Sequence, residues 1–262
     1  VKRVLDWPGT MALERLERSG ALDGQRDLVG KASLLEHLAR LARQPLAPGL
    51  DRDRLMTNLI QQVADPGLIQ QGDRGTCTVT TLEFSLARRD PAEYVRLITG
   101  LASPSGRVRT AGGKDLVRVK DSLLDDRSSR TDASRLFEAA MMDLGNGVAD
   151  YRNGADRHGL GRWTPLPGGL LSFQVARAAT ALTGKPHEAV EVVPVLGRLP
   201  LTNWGIDGLM NGLRETLARH GEAPAMLDWR GQGEKVHSEH MVLVLKIESD
   251  RVVFRNPWGN TG

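Results

Sequence analysis

The chain has 262 residues, 40% of them hydrophobic and 26% charged, a composition that can build a buried core and excludes a chain disordered throughout. With 35 basic against 32 acidic groups the net charge is only +3, too even a balance for a basic groove, so no nucleic-acid partner is expected. The single cysteine, Cys77, excludes an internal disulfide and a cysteine-built zinc cage, and no run approaches the roughly 18 apolar residues of a membrane helix, so no membrane span is expected.

Residues 1–66 read as a charged helical stretch. Leu34, Leu35, Leu38 and Leu41 recur at helical spacing; Pro45, Pro48 and Gly49 interrupt them; Leu55, Leu59, Ile60 and Val63 mark a second helix that ends at Asp65-Pro66-Gly67. This predicts a helical N-terminal extension over 1–66 and a main domain over 67–262. Within that domain, Val79, Leu82 and Leu86 give one face of a helix that starts at Cys77, and Asp90-Pro91 reads as the start of the next. Residues 103–130 suggest an exposed region holding one strand, Leu116 to Val119. Its Gly112-Gly113-Lys114 lacks the spacing and the Ser or Thr of a phosphate-binding loop.

Thr131 or Asp132 can cap a helix carrying Leu136, Phe137, Ala140, Met141 and Leu144 and stopped at Gly145, and a further helix runs from about Leu171 to Gly184. Leu209, Leu213 and Leu217 place a helix over 206–220. Ala189 to Val195, Ala225 to Trp229, Met241 to Ile247 and Arg251 to Arg255 have strand composition, and Glu248-Ser249-Asp250 makes the last two a hairpin. The expected fold class is therefore α+β, with a mainly helical half (67–185) and a mainly β half (186–262).

Cys77 at a helix N-terminus faces the positive end of the helix dipole, which with a nearby histidine lowers a thiol pKa, so a thiolate is expected. Gln71 lies six residues before the sulfur on a loop with two glycines. Such a loop can fold the Gln71 amide back to share an oxyanion with the Cys77 backbone N–H. His240 opens one strand of the hairpin and Asn256 follows the other, so antiparallel pairing can bring them together, the asparagine fixing the imidazole tautomer under the cover of Trp258. His237 and His240 would fall on opposite faces of a strand, which excludes a metal pair; no metal and no cofactor are expected. His37, His158, His187 and His220 lie in polar contexts and read as surface residues.

The segment Gln71 to Cys77 (Q-G-D-R-G-T-C) resembles the oxyanion-glutamine and nucleophile loop of papain-like cysteine peptidases, and His240 followed by Asn256-Pro257-Trp258-Gly259 is similar to the same region of the calpain family. Val117 to Leu124, Leu136 to Leu144 and Gly168 to Gly184 resemble calpain segments in the same order. The resemblance implies a papain-like fold whose helical subdomain carries Cys77 and whose antiparallel β subdomain carries His240 and Asn256. It further implies a cysteine endopeptidase in which Cys77 attacks, His240 moves the proton, Asn256 orients it, Gln71 helps bind the oxyanion and Trp258 supports the ring. Gly75, Gly168, Gly169 and Glu239 are implied at the substrate cleft, with a protein or peptide as substrate and an inhibitor or immunity protein as a further candidate partner.

The sequence departs from that family at Thr78, where Trp is usual, at Glu239, where calpains have Gly, and at Thr76, so no calcium requirement is carried over. A deamidase or transglutaminase acting on Gln side chains uses the same chemistry and stays open, as does an inactive peptidase-like binding module. Arg outnumbers Lys 28 to 7, a bias resembling that of high-GC bacteria, and the first residue is not Met. A bacterial effector or toxin module cut from a longer chain, delivered to act in a cytoplasm, and a housekeeping protease both fit.

Overall fold

The computed structural model describes residues 5–147, 150–154, 156, 169–189, 194–195, 199–200, 206–229, 238–249 and 251–259. In chain order the elements are α1 (Trp7–Arg18), α2 (Ala21–Gly24), α3 (Leu34–Arg43), α4 (Arg52–Ala64), α5 (Cys77–Arg89), α6 (Pro91–Ala102), β1 (Arg107–Arg109), β2 (Asp115–Val117), α7 (Asp132–Asn146), α8 (Ser172–Thr183), β3 (Pro194–Val195), β4 (Leu199–Pro200), α9 (Ile206–His220), β5 (Ala223–Trp229), β6 (Ser238–Ile247) and β7 (Val252–Arg255). The fold is α+β: helices first, then a three-stranded antiparallel sheet in the order β5-β6-β7.

Local chemistry sets the helix ends. Asp6 caps α1 by accepting the Gly9 N–H at 2.8 Å, Asp51 caps α4 through the Arg54 N–H at 2.8 Å, and Ser33 and Glu36 form a reciprocal capping box on α3. Thr131 caps α7 through the Ser134 N–H at 3.1 Å. That helix runs one turn edge further than Gly145: its last bonds close on Gly147, whose φ of 65° is the left-handed conformation glycine adopts without strain. Gly145 instead packs under Leu170, where a Cβ would lie 2.4 Å from its Cδ1.

The core has α5, α6 and α7 at its centre. Leu34, Leu38 and Leu41 of α3, at most 1% exposed, belong to the same apolar cluster as Tyr94, Leu97 and Leu101 of α6 and Leu136 and Phe137 of α7. Residues 1–66 thus share the core of the main domain, and polar bonds run across the boundary drawn at 66. Ala47 N–H donates to Ala102 O, Gln44 Nε2 to Thr99 O, and Gln62 Nε2 to Thr131 and Ser134 hydroxyls.

Other expectations are corrected by packing. The 103–130 region holds two strands, β1 and β2, paired as a hairpin from Arg107↔Val117 to Arg109↔Asp115, because Val119 leaves the strand for a short 3-10 turn over Lys120–Leu123. Gly112 at its tip explains the glycine pair: its N–H donates to Ala181 O of α8 at 2.9 Å, and a Cβ would lie 2.6 Å from that oxygen. His37 is buried rather than on the surface, with Nε2 2.9 Å from Asp27 Oδ2. Burial would raise the Asp27 carboxyl, but this bond and the N–H groups of Gly30, Val29 and Ala32 hold it down to about 2. His187 and His220 are exposed, and His158 and His237 lie outside the described residues. The stripe on α9 is only partly covered, Leu209 remaining 38% exposed.

The last strands follow the expected pattern. β5 pairs with β6 so that Leu227 faces His240, and β6 pairs with β7 from Leu243↔Arg255 to Ile247↔Val252, with a bulge between Val244 and Lys246. Met241 to Val244 of β6 are all buried, with Thr81 of α5 donating to Met241 O at 3.5 Å. The sheet is thereby seated on α5, the helix that begins at Cys77. Of the segment Ala189 to Val195, Pro194 and Val195 form β3, and 190–193 lie outside the described residues. No helix among the described residues is long and apolar enough to cross a membrane.

Candidate functional site

Two elements far apart in sequence meet at Cys77. From the helical side, Cys77 is the first residue of α5, 8% exposed. From the sheet side, β6 crosses α5 so that the Met241 backbone N–H acts on the Cys77 sulfur, together with the N–H groups of Thr78 and Cys77 itself. His240, the neighbour of Met241, is 2% exposed.

The imidazole of His240 is held on two sides. Nε2 lies 2.9 Å from Asn256 Oδ1, an oxygen that cannot donate, so this nitrogen carries the proton and Nδ1 is the one able to take another. Trp258 stacks on the ring with centroids 4.0 Å apart and planes 26° apart, and its backbone N–H donates to the same Asn256 Oδ1 at 3.1 Å. The asparagine is fixed from one side by the turn it opens and from the other by the ring it orients.

A third segment is tied to that turn. Gln71 N–H donates to Pro257 O at 2.8 Å, and Arg255 Nη2 donates to Gly67 O and Ile69 O at 2.7 and 2.9 Å. The loop before Cys77 and the strand end carrying Asn256 are therefore tied together by backbone and guanidinium bonds. The Gln71 side chain is fully buried, and Nε2 donates to Arg74 O at 2.6 Å, which uses one of its two hydrogens. Gly72, at φ 61°, passes so close to Ser129 that a Cβ would lie 3.2 Å from its backbone nitrogen.

The structure thus brings Gln71, Cys77, His240, Asn256 and Trp258 into one neighbourhood. Gly75 and Gly169 adjoin it as well: a Cβ on Gly169 would lie 3.7 Å from Gly75 O. Glu239 is exposed on the face of β6 opposite to His240, and Gly168 lies outside the described residues. The expected thiolate is corrected. Burial pushes the Cys77 thiol up, and the charge of Asp156 adds to this, against the backbone N–H groups that favour the anion. The resting group is a thiol, and ionising it calls for a base beside it.

Comparison with protein-family models, curated proteins and solved structures finds no match to this chain. The site is therefore read from its own geometry.

Sequence reasoning missed the layer beneath Cys77. Thr76 Oγ1 donates to Glu138 Oε2 and Thr80 Oγ1 to Glu138 Oε1, both at 2.7 Å, so α7 holds the first turn of α5 by a buried carboxylate. Arg130, also fully buried, donates to Glu138 at 2.8 Å and to Asn153 Oδ1 at 2.6 Å. Glu83 lies beside it, with the Tyr94 hydroxyl 2.6 Å and the Ser134 hydroxyl 2.9 Å from its Oε1. Burial, then the charge of Glu138, pushes Glu83 well up; burial raises Glu138 too, while Arg130 and the Thr76 and Thr80 hydroxyls favour its charged form. A signal was present: Val79, Glu83 and Leu86, like Ser134, Glu138 and Met141, are spaced i, i+4, i+7, which puts each carboxyl in line with residues of the buried face. Among the described residues no group of three or more His, Cys, Asp and Glu could hold a metal ion.

Proposed function

We propose that this chain is a papain-like cysteine peptidase, related in its design to the calpain catalytic core, that cleaves protein or peptide substrates. The observation that carries the reading is the His240–Asn256 bond under the Trp258 stack, set beside a buried cysteine at the N-terminus of a helix. A structural histidine needs neither an orienting amide nor a ring to exclude water, whereas a base that must shuttle a proton benefits from both.

In this reading Nδ1 of His240 takes the Cys77 proton as the sulfur attacks the substrate carbonyl. The resulting imidazolium is stabilised through Nε2 by Asn256. The oxyanion is met by the Cys77 backbone N–H at the start of α5 and by the Gln71 side-chain amide. The imidazolium then returns its proton to the leaving amine, and a water deprotonated by the same nitrogen resolves the thioester. The raised thiol fits a mechanism in which thiolate forms only with the base engaged. The buried Glu138–Thr76 bond supports the site by fixing the residue that precedes the sulfur.

The test is intact-mass analysis after reaction with an epoxysuccinyl peptide inhibitor, beside Cys77→Ala and His240→Ala. The expected result is one adduct on the wild type, none on Cys77→Ala and a strongly slowed reaction for His240→Ala. A wild type that reacts with iodoacetamide but not with the inhibitor overturns the peptidase reading. A protein substrate gaining about one dalton, or becoming crosslinked, instead of splitting into fragments would assign the same residues to deamidation or transglutamination.

A further inference from the structure

Asp156 lies beside the Cys77 loop and takes part in neither the proton relay nor the buried network. Its Oδ1 accepts the Gly75 N–H at 3.1 Å and its Oδ2 the Tyr151 hydroxyl at 2.7 Å, while its own carbonyl accepts Arg74 Nη1 at 2.6 Å. These bonds hold the carboxylate against the backbone two residues before Cys77, near enough for its charge to act on the thiol. Asp126, Asp132 and Glu138 each hold an arginine. Asp156 is half-buried and makes no ion pair among the described residues. The chain passes Gly75 again at Gly169, where a Cβ would lie 3.7 Å from Gly75 O, so among the described residues backbone, glycine and this carboxylate adjoin the segment before the sulfur.

A carbonyl carbon attacked by Cys77 sits about 3–3.5 Å from the sulfur, and the side chain of the same residue starts two bonds further on. It therefore meets what flanks Cys77. Gly75 leaves room there, and a carboxylate with two of its roughly four acceptor positions used by neutral donors can still bind a cation. Resting on the peptidase reading, we propose that Asp156 is the specificity determinant of this site and selects lysine or arginine as the residue whose carbonyl is attacked. The half-buried setting strengthens the attraction relative to a surface pair, and neutral or acidic side chains leave the carboxylate unmatched or repelled. A cation bound there also offsets the field that disfavours the Cys77 thiolate.

Two peptidyl acyloxymethyl ketones, identical except for lysine or norleucine at the terminal position, test this on the full chain, with labelling rates read by intact mass. The lysine probe is expected to label Cys77 at least about tenfold faster, an advantage that shrinks as salt is raised. In Asp156→Asn, which keeps an acceptor for Gly75, the lysine-to-norleucine ratio should fall to about one. Equal rates in the wild type, or a lysine preference that survives in Asp156→Asn, overturn the assignment while leaving the peptidase reading intact. If Asp156→Asn does not fold, the wild-type ratio and its salt dependence decide alone. Labelling by neither probe, with Cys77 still open to iodoacetamide, overturns both.

Discussion

At the scale of single residues, the site depends on few contacts. His240 Nε2 meets Asn256 Oδ1, and the Trp258 ring stacks on the imidazole. Replacing Asn256 by Ala removes an acceptor to a group that becomes charged when it takes a proton, worth about 1.5–3 kcal/mol, and frees the ring to turn. Asn256→Ala is therefore expected to slow inhibitor labelling of Cys77 by roughly ten- to a hundredfold. A labelling rate equal to that of the wild type would remove Asn256 from the proposed relay. These residues were legible in the sequence because each type has a narrow chemical use, and the β6–β7 hairpin brings the start of β6 near the end of β7. Glu83, Glu138 and Arg130 were less legible: a charged residue on an apolar helical stripe shows its burial, but its partner lies on another helix.

Elements set how rigidly those residues are held. The β1–β2 hairpin docks on the last turn of α8 through Gly112, where the backbone contact leaves no room for a side chain. Because the atom a Cβ would meet is a helix carbonyl, the clash cannot be relieved by a rotamer change. Gly112→Ala is expected to cost about 1–3 kcal/mol in denaturant unfolding, while Gly24→Ala, where a Cβ meets nothing within 4 Å, should stay within about 0.5 kcal/mol. Equal effects of the two would show that the hairpin does not bear on α8. The glycine pair, read from the sequence as failing to match a phosphate loop, has here a packing role that no local pattern shows. The start of α7 was readable from Thr131, since capping is local. The end of α7 was not, because Gly145 and Gly147 are equivalent stops until Leu170 occupies the space beside one of them.

For the molecule as a whole, the first helices are decisive. α3 lies against α6, and Leu34, Leu38 and Leu41 share one apolar cluster with the helices that carry Cys77 and Glu138. Removing residues 1–45 would expose that cluster; burial of each such leucine stabilises by about 1.5–3 kcal/mol, and total stability is commonly only about 5–15 kcal/mol. The truncated chain is expected to lose cooperative thermal unfolding followed by circular dichroism. A sharp transition near that of the intact chain would instead make the first 45 residues dispensable.

What the sequence by itself determined is what depends on near neighbours or on a residue's own chemistry: the starts of α5, α6 and α7, the last strands and their hairpin, the α+β order, and the candidates Gln71, Cys77, His240 and Asn256. Only the tertiary structure decided that helices of residues 1–66 share the main core, that the Cys77 thiol is raised rather than lowered, and that a buried carboxylate lies under the helix that begins with it. The physical reason is common to all three. Burial, and the electrostatics that follow from it, depend on which surfaces face each other across the chain, and periodicity tells which face of an element is apolar without telling what will cover it.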